Sequence, residues 1–386
     1  MTVIPNDIDN LNQLNRISPL FDIQLTSYGG RACFSTQDIP KGTEVLLTSE
    51  PIGSVILYEF RKEVCSSCLK YVYGEVCKIK ADEPKVANVD EENQTNSKKK
   101  GNKKKFQGAG LWFCSEECKV QYQSKPSCNQ LIETFETLLT YYQTKVKSPE
   151  VEDDDSEFKP IITKEYIDSF WEEVNQWDIT ASKTKHSKLV AQQLPKINSD
   201  EYTTVRFVTS VLHNLHHTHS ETSVAYYHSL QSNEEDKIRA FPTLLLSQTL
   251  VYKFLRICLP EHLQPLLSTD HFRELCGREY GNSFGIWQQT STNTEAGSIE
   301  NENKEFLGYS LYPEASYFNH SCGPNLRKIR VRDRMQFETI KDISKGEQMC
   351  IDYFHILDEP RDERQKILKK NWFFDCGCDR CENEKI

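Results

Sequence analysis

The chain lacks the segments that would take a protein into or across a membrane. No apolar run approaches the roughly 20 residues that a helix needs to cross a bilayer. Residues 1–9 contain no basic segment followed by an apolar one, as a secretory signal would. We therefore expect no membrane association, a reducing compartment, and a location in the cytoplasm and nucleus.

Positive charge is scarce as well: 47 lysines and arginines stand against 57 aspartates and glutamates, which gives a net charge of −10. This balance makes nucleic acid an unlikely partner for the whole molecule and favours a basic peptide. The exception is a lysine cluster at residues 98–105, which could bind nucleic acid with steep salt dependence or act as a nuclear import signal. Because residues 81–108 contain almost no apolar side chains, we favour a disordered insertion loop.

Cysteine, in contrast, is abundant, with 14 residues. In a reducing compartment, clustered cysteines indicate zinc more often than disulfides. Eight of them lie in close-set groups or in the turn around residue 322. We interpret the other six as small buried hydrophobic residues; they are Cys33, Cys77, Cys128, Cys258, Cys276 and Cys350.

Two cysteine pairs, Cys65 with Cys68 and Cys114 with Cys118, have the short spacings of zinc ligands. Thiolates at i and i+3 or i+4 can hold one tetrahedral ion from a knuckle or a helix start. Two such pairs make a closed four-sulfur site with no open position. The pattern therefore predicts a structural zinc ion.

A second set of ligands lies near residue 380, where Cys376, Cys378 and Cys381 follow a C-x-C-x-x-C spacing. A structural zinc site requires four ligands. Ligand counting therefore selects Cys322 as the fourth, so that the C-terminal segment would be tied over the turn at residues 317–325.

Histidine clusters once, at His213, His216, His217 and His219. Histidines at i, i+3 and i+4 can bind a metal ion from one helix face. Zinc sites, however, usually draw ligands from several elements, and no acidic partner motif accompanies these histidines. We prefer to interpret them as a polar helix end.

Periodicity predicts an α+β chain. Residues 18–58 alternate apolar and polar positions and predict an antiparallel meander of three strands, at 21–25, 31–35 and 44–47. Residues 328–331 and 335–339 predict a strand pair, and residues 358–370 a charged helix. Apolar residues at helical spacing predict helices in four segments: 131–142, 165–177, 201–215 and 243–258.

Three segments carry a resemblance to a known family. They are residues 317–325, with Asn319, His320 and Cys322; residues 346–353, Gly-Glu-Gln-Met-Cys-Ile-Asp-Tyr; and the cysteines at 376–381. Together they resemble the SET-domain protein lysine methyltransferases, in particular the SET-MYND branch, which carries a MYND-type zinc module. The resemblance extends from about residue 18 to 381 and corresponds to a short form without the helical-repeat C-terminal domain. We therefore expect an open substrate cleft.

The resemblance implies an α+β SET fold, with small antiparallel sheets, a helical insert, a MYND-like zinc module and a post-SET zinc clasp. It divides the chain into 1–58 (N-terminal SET part), 59–130 (zinc module with the 81–108 insertion), 131–278 (insert), 279–358 (C-terminal SET core) and 359–386 (post-SET segment). A full MYND module binds a second ion. Here Cys77 has no close partner and Ser124 stands where a histidine is expected, so we predict one ion in this module.

The resemblance also implies the site residues. Tyr353 is the predicted catalytic hydroxyl. The residues predicted to bind S-adenosylmethionine are Gly29, Gly30, Asn319, His320, Tyr353 and Phe374. Those predicted to line the lysine channel are Asn282, Ser283, Phe284 and Trp372. The sequence departs from the family at Trp372 and Phe373, where relatives often have a tyrosine.

The chemistry implied is a displacement in which a neutral lysine amine takes the methyl group of the sulfonium. Deprotonating a free lysine at pH 7 costs about 4–5 kcal/mol, and an apolar channel reduces this cost by desolvation. We expect an S-adenosylmethionine-dependent protein-lysine N-methyltransferase with two structural zinc ions. Its substrate would be a histone or another basic protein with an exposed lysine. The alternative is a weak or inactive adaptor that binds protein partners through the MYND-like module. We expect a monomer in either case.

Overall fold

The computed structural model describes residues 14–26, 30–84, 105–146, 161–217, 221–288 and 305–384. In these ranges no helix is both long and apolar enough to cross a membrane. The strands are β1 (Phe21–Leu25), β2 (Arg31–Ser35), β3 (Glu44–Leu47), β4 (Gly53–Ile56), β5 (Ile79–Lys80), β6 (Trp112–Phe113), β7 (Ser283–Trp287), β8 (Phe306–Leu311), β9 (Asn319–His320), β10 (Leu326–Val331), β11 (Arg334–Thr339) and β12 (Gln348–Ile351).

Most of the helices lie between β6 and β7 in the chain. The α-helices are α1 (Glu116–Gln123), α2 (Cys128–Tyr141), α3 (Lys164–Ser182), α4 (His186–Gln192), α5 (Ser199–His217), α6 (Glu221–His228), α7 (Glu234–Ala240), α8 (Thr243–Cys258), α9 (Thr269–Asn282), α10 (Arg361–Trp372) and α11 (Asp379–Asn383). Short turns of 3-10 helix occupy Glu59–Lys62 and Gln264–Leu266, and a π-helical turn occupies Tyr142–Val146. All four helices predicted from periodicity are confirmed, and the charged helix begins slightly later than predicted.

The strands form small sheets, as expected for the predicted α+β class. Their orders are β1-β2-β12-β9, β10-β11-β3, β4-β8-β7 and β5-β6. All pairings are antiparallel except that of β12 with β9, where Cys350 lies opposite Asn319 and Ile351 opposite His320. This parallel pairing places the Asn-His turn beside the segment that ends at Tyr353.

The predicted meander of residues 18–58 is wrong in its third strand. β1 and β2 form the expected hairpin, but β3 pairs with β11 in another sheet, and β12 is the second neighbour of β2. The reason is burial. Val45 and Leu46 of β3 are buried, and they are buried beside the hairpin of β10 and β11 rather than beside β2. Alternation predicts a strand but not its partner.

Helix α5 connects the insert to the SET sheets by packing on β4. Gly53 of β4 permits this contact, since a Cβ atom there would lie 2.3 Å from Val211 Cγ2 and 2.9 Å from the Phe207 ring. Phe207, Val208, Val211 and Leu212 are buried on this face of the helix. The insert and the SET sheets therefore share one core, which continues as far as α1 and β6.

The C-terminal segment has a small hydrophobic cluster of its own. The cluster consists of Ile356 and Leu368 with the four cysteines Cys322, Cys376, Cys378 and Cys381. Trp372 and Phe374 pack against it. Since four of its six buried members are thiols, the attachment of this segment depends on what the sulfur atoms bind.

Candidate active site and metal centres

The four cysteines predicted for the post-SET clasp meet in space. Cys322 lies in the turn after β9, Cys376 and Cys378 lie in the loop after α10, and Cys381 lies in α11; all four are buried. Their sulfur atoms lie within 4.8 Å of one another, with Cys322 Sγ 3.5 Å from Cys381 Sγ. A tetrahedral zinc ion with bonds of about 2.3 Å holds its sulfurs about 3.8 Å apart. The four side chains therefore fit one such ion.

The predicted MYND-like cluster also assembles. The segment of Cys65 and Cys68 is held to β6 by a hydrogen bond from Ser66 N–H to the Trp112 carbonyl at 2.7 Å. Cys114 and Cys118 follow β6 in the chain, and all four sulfurs lie within 4.8 Å of one another. Cys114 Sγ lies 3.7 Å from both Cys68 Sγ and Cys118 Sγ, close to the spacing around a tetrahedral ion. This set also fits one zinc ion.

The remaining cysteines are buried singly, as predicted. Cys77 and Cys128 belong to no group of metal-ligating side chains among the described residues. Burial raises the pKa of both thiols to about 11. They therefore behave as small apolar side chains at neutral pH.

Arg364 is a supporting residue of the clasp that the sequence did not reveal. Its side chain is 1% exposed. It donates to Cys322 Sγ at 3.1 Å and to Cys381 Sγ at 3.7 Å, and its other hydrogen bonds go to Glu384 and to the backbone of Glu359. A divalent ion bound by four thiolates carries a net charge of about −2. The guanidinium offsets part of that charge where no water can do so.

His320 connects the clasp to Tyr353. Its Nδ1 atom accepts a hydrogen bond from the backbone N–H of Tyr353 at 3.2 Å, and its Nε2 atom lies 3.3 Å from Cys322 Sγ. Burial lowers the pKa of His320 to about 4, so the ring is neutral at pH 7. Because Nδ1 accepts, the proton must be on Nε2, which donates to the sulfur.

A cavity of about 350 Å³ adjoins this turn, and we call it cavity A. Pockets of roughly 300–1,000 Å³ are typical of small-molecule sites. Of the residues predicted to bind the cofactor, five line cavity A: Gly30, Asn319, His320, Tyr353 and Phe374. Gly29 lies outside the described residues. Gly30 has φ +67°, a conformation that favours glycine.

The insert also contributes to cavity A, which the sequence did not indicate. Leu230, Gln231, Asn233 and Asp236 line the cavity from the segment around the start of α7. The tail closes it with Trp372, Phe373, Phe374 and Cys376. Polar groups from the insert and aromatic rings of the tail therefore line the same cavity.

A second cavity, cavity B, has a volume of about 390 Å³. All four residues predicted for the lysine channel line it: Asn282, Ser283, Phe284 and Trp372. Four aromatic side chains form much of its wall, with ring centroids 5.0 Å apart for Trp287 and Phe306, 5.9 Å for Trp287 and Phe354, and 6.0 Å for Phe354 and Trp372. Ser283 Oγ is buried and has no hydrogen-bond partner among the described residues, so it is available to a ligand in this cavity.

Tyr353 lies where the two cavities meet. It lines both, together with Gly281, Asn282, Ser316 and Trp372. Its ring is 5.3 Å from that of Trp372 and 5.5 Å from that of His320. Burial raises the pKa of the Tyr353 phenol well above its ordinary value. The hydroxyl is thus a neutral donor and acceptor, set between a polar cavity and an aromatic one.

Lys328 is a further residue of cavity B that the sequence did not single out. Its ammonium group donates to the Tyr353 carbonyl at 2.9 Å. The bond fixes the backbone that carries the phenol, and it places a positive charge beside the channel. The geometry brings the predicted site residues together, whereas their individual roles and the segment boundaries stay predictions.

Comparison with known proteins agrees with this arrangement. The SET domain family model matches residues 30–354. The chain belongs to the family of SET-domain protein lysine methyltransferases.

A relative of similar length is the potential protein lysine methyltransferase SET6 of Saccharomyces cerevisiae, 41% identical over 96% of this chain and 97% of that protein. Two others match over shorter stretches. A SET and MYND domain-containing protein of Dictyostelium discoideum is 37% identical over 27% of this chain and 23% of its own. The human histone-lysine N-methyltransferase SMYD3 is 33% identical over 22% of this chain and 20% of its own.

Proposed function

We propose that the protein transfers a methyl group from S-adenosylmethionine to the side-chain amine of a lysine in a protein substrate. The observation that carries the proposal is the meeting of cavities A and B at Tyr353. A transfer between two bound molecules requires one cavity for each, with the reacting atoms in contact at a shared point. The names of the relatives support the same chemistry.

Cavity A is suited to the cofactor. The Asn319-His320 turn and Gly30 would hold its amino-acid and adenine ends, and the Phe374 ring offers a face for stacking on the base. When bound, S-adenosylmethionine supplies an electrophilic methyl group on a sulfonium.

Cavity B is suited to a lysine side chain. Its aromatic walls exclude water from the aliphatic stem and the amine, which lowers the pKa of the amine. The charge of Lys328 acts in the same direction, because a nearby positive charge disfavours a protonated amine. The Tyr353 hydroxyl would accept a hydrogen bond from the neutral amine and so direct its lone pair toward cavity A.

The substrate we propose is a histone or another basic protein, since the chain has a net charge of −10. We further propose that the enzyme is a monomer, that it acts in the cytoplasm and nucleus, and that protein partners dock on the MYND-like module. A nucleic-acid role for the lysines at 98–105 has no support from the described residues, since that segment lies mostly outside them.

The rival function is a weak or inactive adaptor. Trp372 would favour it, because relatives often have a tyrosine there, and the channel would then lack a second hydroxyl. The two adjoining cavities favour the enzyme. So does the buried Ser283 Oγ, which has no hydrogen-bond partner within the described ranges, because an adaptor would gain nothing from such a hydroxyl beside a cavity.

The test is methyl transfer from labelled S-adenosylmethionine to core histones and to a cell extract, with wild type and Tyr353→Phe compared. We expect labelling by wild type and a loss of at least about tenfold in the variant, since the phenol contacts the reacting groups. S-adenosylhomocysteine binding, measured by calorimetry, should be nearly equal in the two. Equal labelling would remove the assignment of Tyr353, and a folded, zinc-loaded wild type that binds no cofactor would identify the adaptor.

A further inference from the structure

A cluster of three histidines lies outside both cysteine clusters and both cavities described above. His213 and His217 are one turn apart at the end of α5, and His262 follows α8. Each offers a ring nitrogen within 4.8 Å of the other two. The ring centroids of His213 and His217 are 4.4 Å apart, and those of His217 and His262 are 6.4 Å apart.

Two of these rings lack the hydrogen bonds that buried histidines normally make. His213 is 2% exposed, yet its Nδ1 atom has no partner among the described residues, and neither does His262 Nε2. Buried polar nitrogens are almost always paired. A merely polar helix end would point such groups to water or to a carbonyl, and these do neither.

The charge state also suits a metal. Burial, together with the smaller effect of the neighbouring histidines, lowers the pKa of His213 to about 4. Burial likewise lowers the pKa of His262. If the three rings were protonated, their positive charges would repel one another. The neutral imidazole is the form that binds metal ions.

We propose that His213, His217 and His262 bind a divalent transition-metal ion, zinc in the first instance, separate from any ion held by cysteine. Zinc–nitrogen bonds of about 2.1 Å bring the nitrogens about 3.4 Å apart, so modest rotations of the rings would complete the site. Three protein nitrogens leave one position open. A cavity of about 260 Å³ that is lined by His213 and His217 gives solvent access to it.

The i, i+3, i+4 spacing on the helix includes His216 as its third histidine, whereas the structure brings His262 to His213 and His217. His216 lies on the same helix turn but is exposed and outside the set of converging nitrogens, and His219 lies outside the described residues. The third ligand, His262, comes from a different element. The cluster therefore draws on two elements, as metal sites commonly do.

The experiment measures zinc binding by protein without an affinity tag. Before the titration, its zinc content should show that both cysteine clusters already hold their ions. Titration calorimetry with Zn²⁺ should detect one further ion per chain. His262→Gln changes a half-buried loop residue and should leave the fold intact. Because losing a group that only orients a ligand weakens metal binding about 10–100-fold, losing a ligand should weaken it at least about 100-fold.

His216→Gln is the matched control, and it should bind the further ion as wild type does. Co²⁺ added to the loaded wild type should give visible ligand-field bands without the intense charge-transfer bands of thiolates, which separates this site from exchange at the cysteines. Wild type that binds no further ion would overturn the proposal, and so would equal binding by His262→Gln. Neither result depends on methyl transfer.

Discussion

The post-SET clasp should control cofactor affinity, and Cys381→Ser tests this. Cys381 is fully buried among the four converging sulfurs. Apart from the four thiols, the buried members of its cluster are Ile356 and Leu368. Because ordering a chain costs about 1–2 kcal/mol per residue, so small an apolar cluster does not hold residues 376–384 without the ion, and the segment should detach when a ligand is lost.

Detachment would remove the wall of cavity A that Phe374 and Cys376 form. Burial of one phenylalanine ring and its aromatic contact are together worth about 2–4 kcal/mol. At 1.4 kcal/mol per tenfold, that is a loss of affinity of about 30- to 700-fold. We expect this loss in calorimetric titrations of S-adenosylhomocysteine with Cys381→Ser.

Cys68→Ser is the matched control, because it makes the same substitution and should release one zinc ion from the other cluster. No residue of that cluster lines cavity A. Its cofactor affinity should stay within about threefold of wild type, a difference below about 0.7 kcal/mol. The reasoning would be refuted if Cys381→Ser, with one zinc ion lost, bound S-adenosylhomocysteine as tightly as Cys68→Ser does.

Three further predictions follow from particular side chains. Because burial raises the pKa of Tyr353, its phenol stays neutral from about pH 7 to 10. Single-turnover methyl transfer should therefore rise with pH as the bound amine deprotonates and level off above the pKa of that amine, which the channel holds below the value of about 10.4 for a free lysine. A decline near pH 9 would contradict this. Asn325→Ala should lower the free energy of unfolding by about 2–4 kcal/mol in urea titrations. The buried amide of Asn325 accepts a hydrogen bond from Cys350 N–H at 2.8 Å and donates to the Glu347 carboxylate and to the Gln348 carbonyl. A loss below about 1 kcal/mol would contradict this prediction. Gly308→Ala should lower the free energy of unfolding by more than about 3 kcal/mol in the same assay, because the added Cβ atom would lie 2.1 Å from the Val55 carbonyl oxygen. A variant as stable as wild type would refute this close approach.

Local patterns were enough to predict much of the fold and of the site. Ligand counting showed that the three tail cysteines need a fourth ligand, and the motif around residue 322 pointed to Cys322. The helices at residues 131–142 and 243–258 followed from apolar spacing. Asn319, His320 and Tyr353 followed from the family motif.

What could not be predicted depends on contacts between distant segments. The partner of β3 is β11, nearly 300 residues away in the chain, and alternation carries no information on that distance. Arg364 resembles any other charged residue of its helix until the fold buries it beside sulfur. His262 is likewise an isolated histidine in the sequence, and only the packing of α8 against α5 brings it to His213.

The shared wall at Tyr353 has a kinetic consequence. If the cofactor and the peptide occupy cavities A and B as proposed, the spent cofactor could depart and a fresh one arrive while the peptide remains bound. Such an enzyme would act processively and add successive methyl groups in one encounter. The aromatic lining of the channel would hold the apolar stem and the added methyl group of the partly modified lysine for the next round.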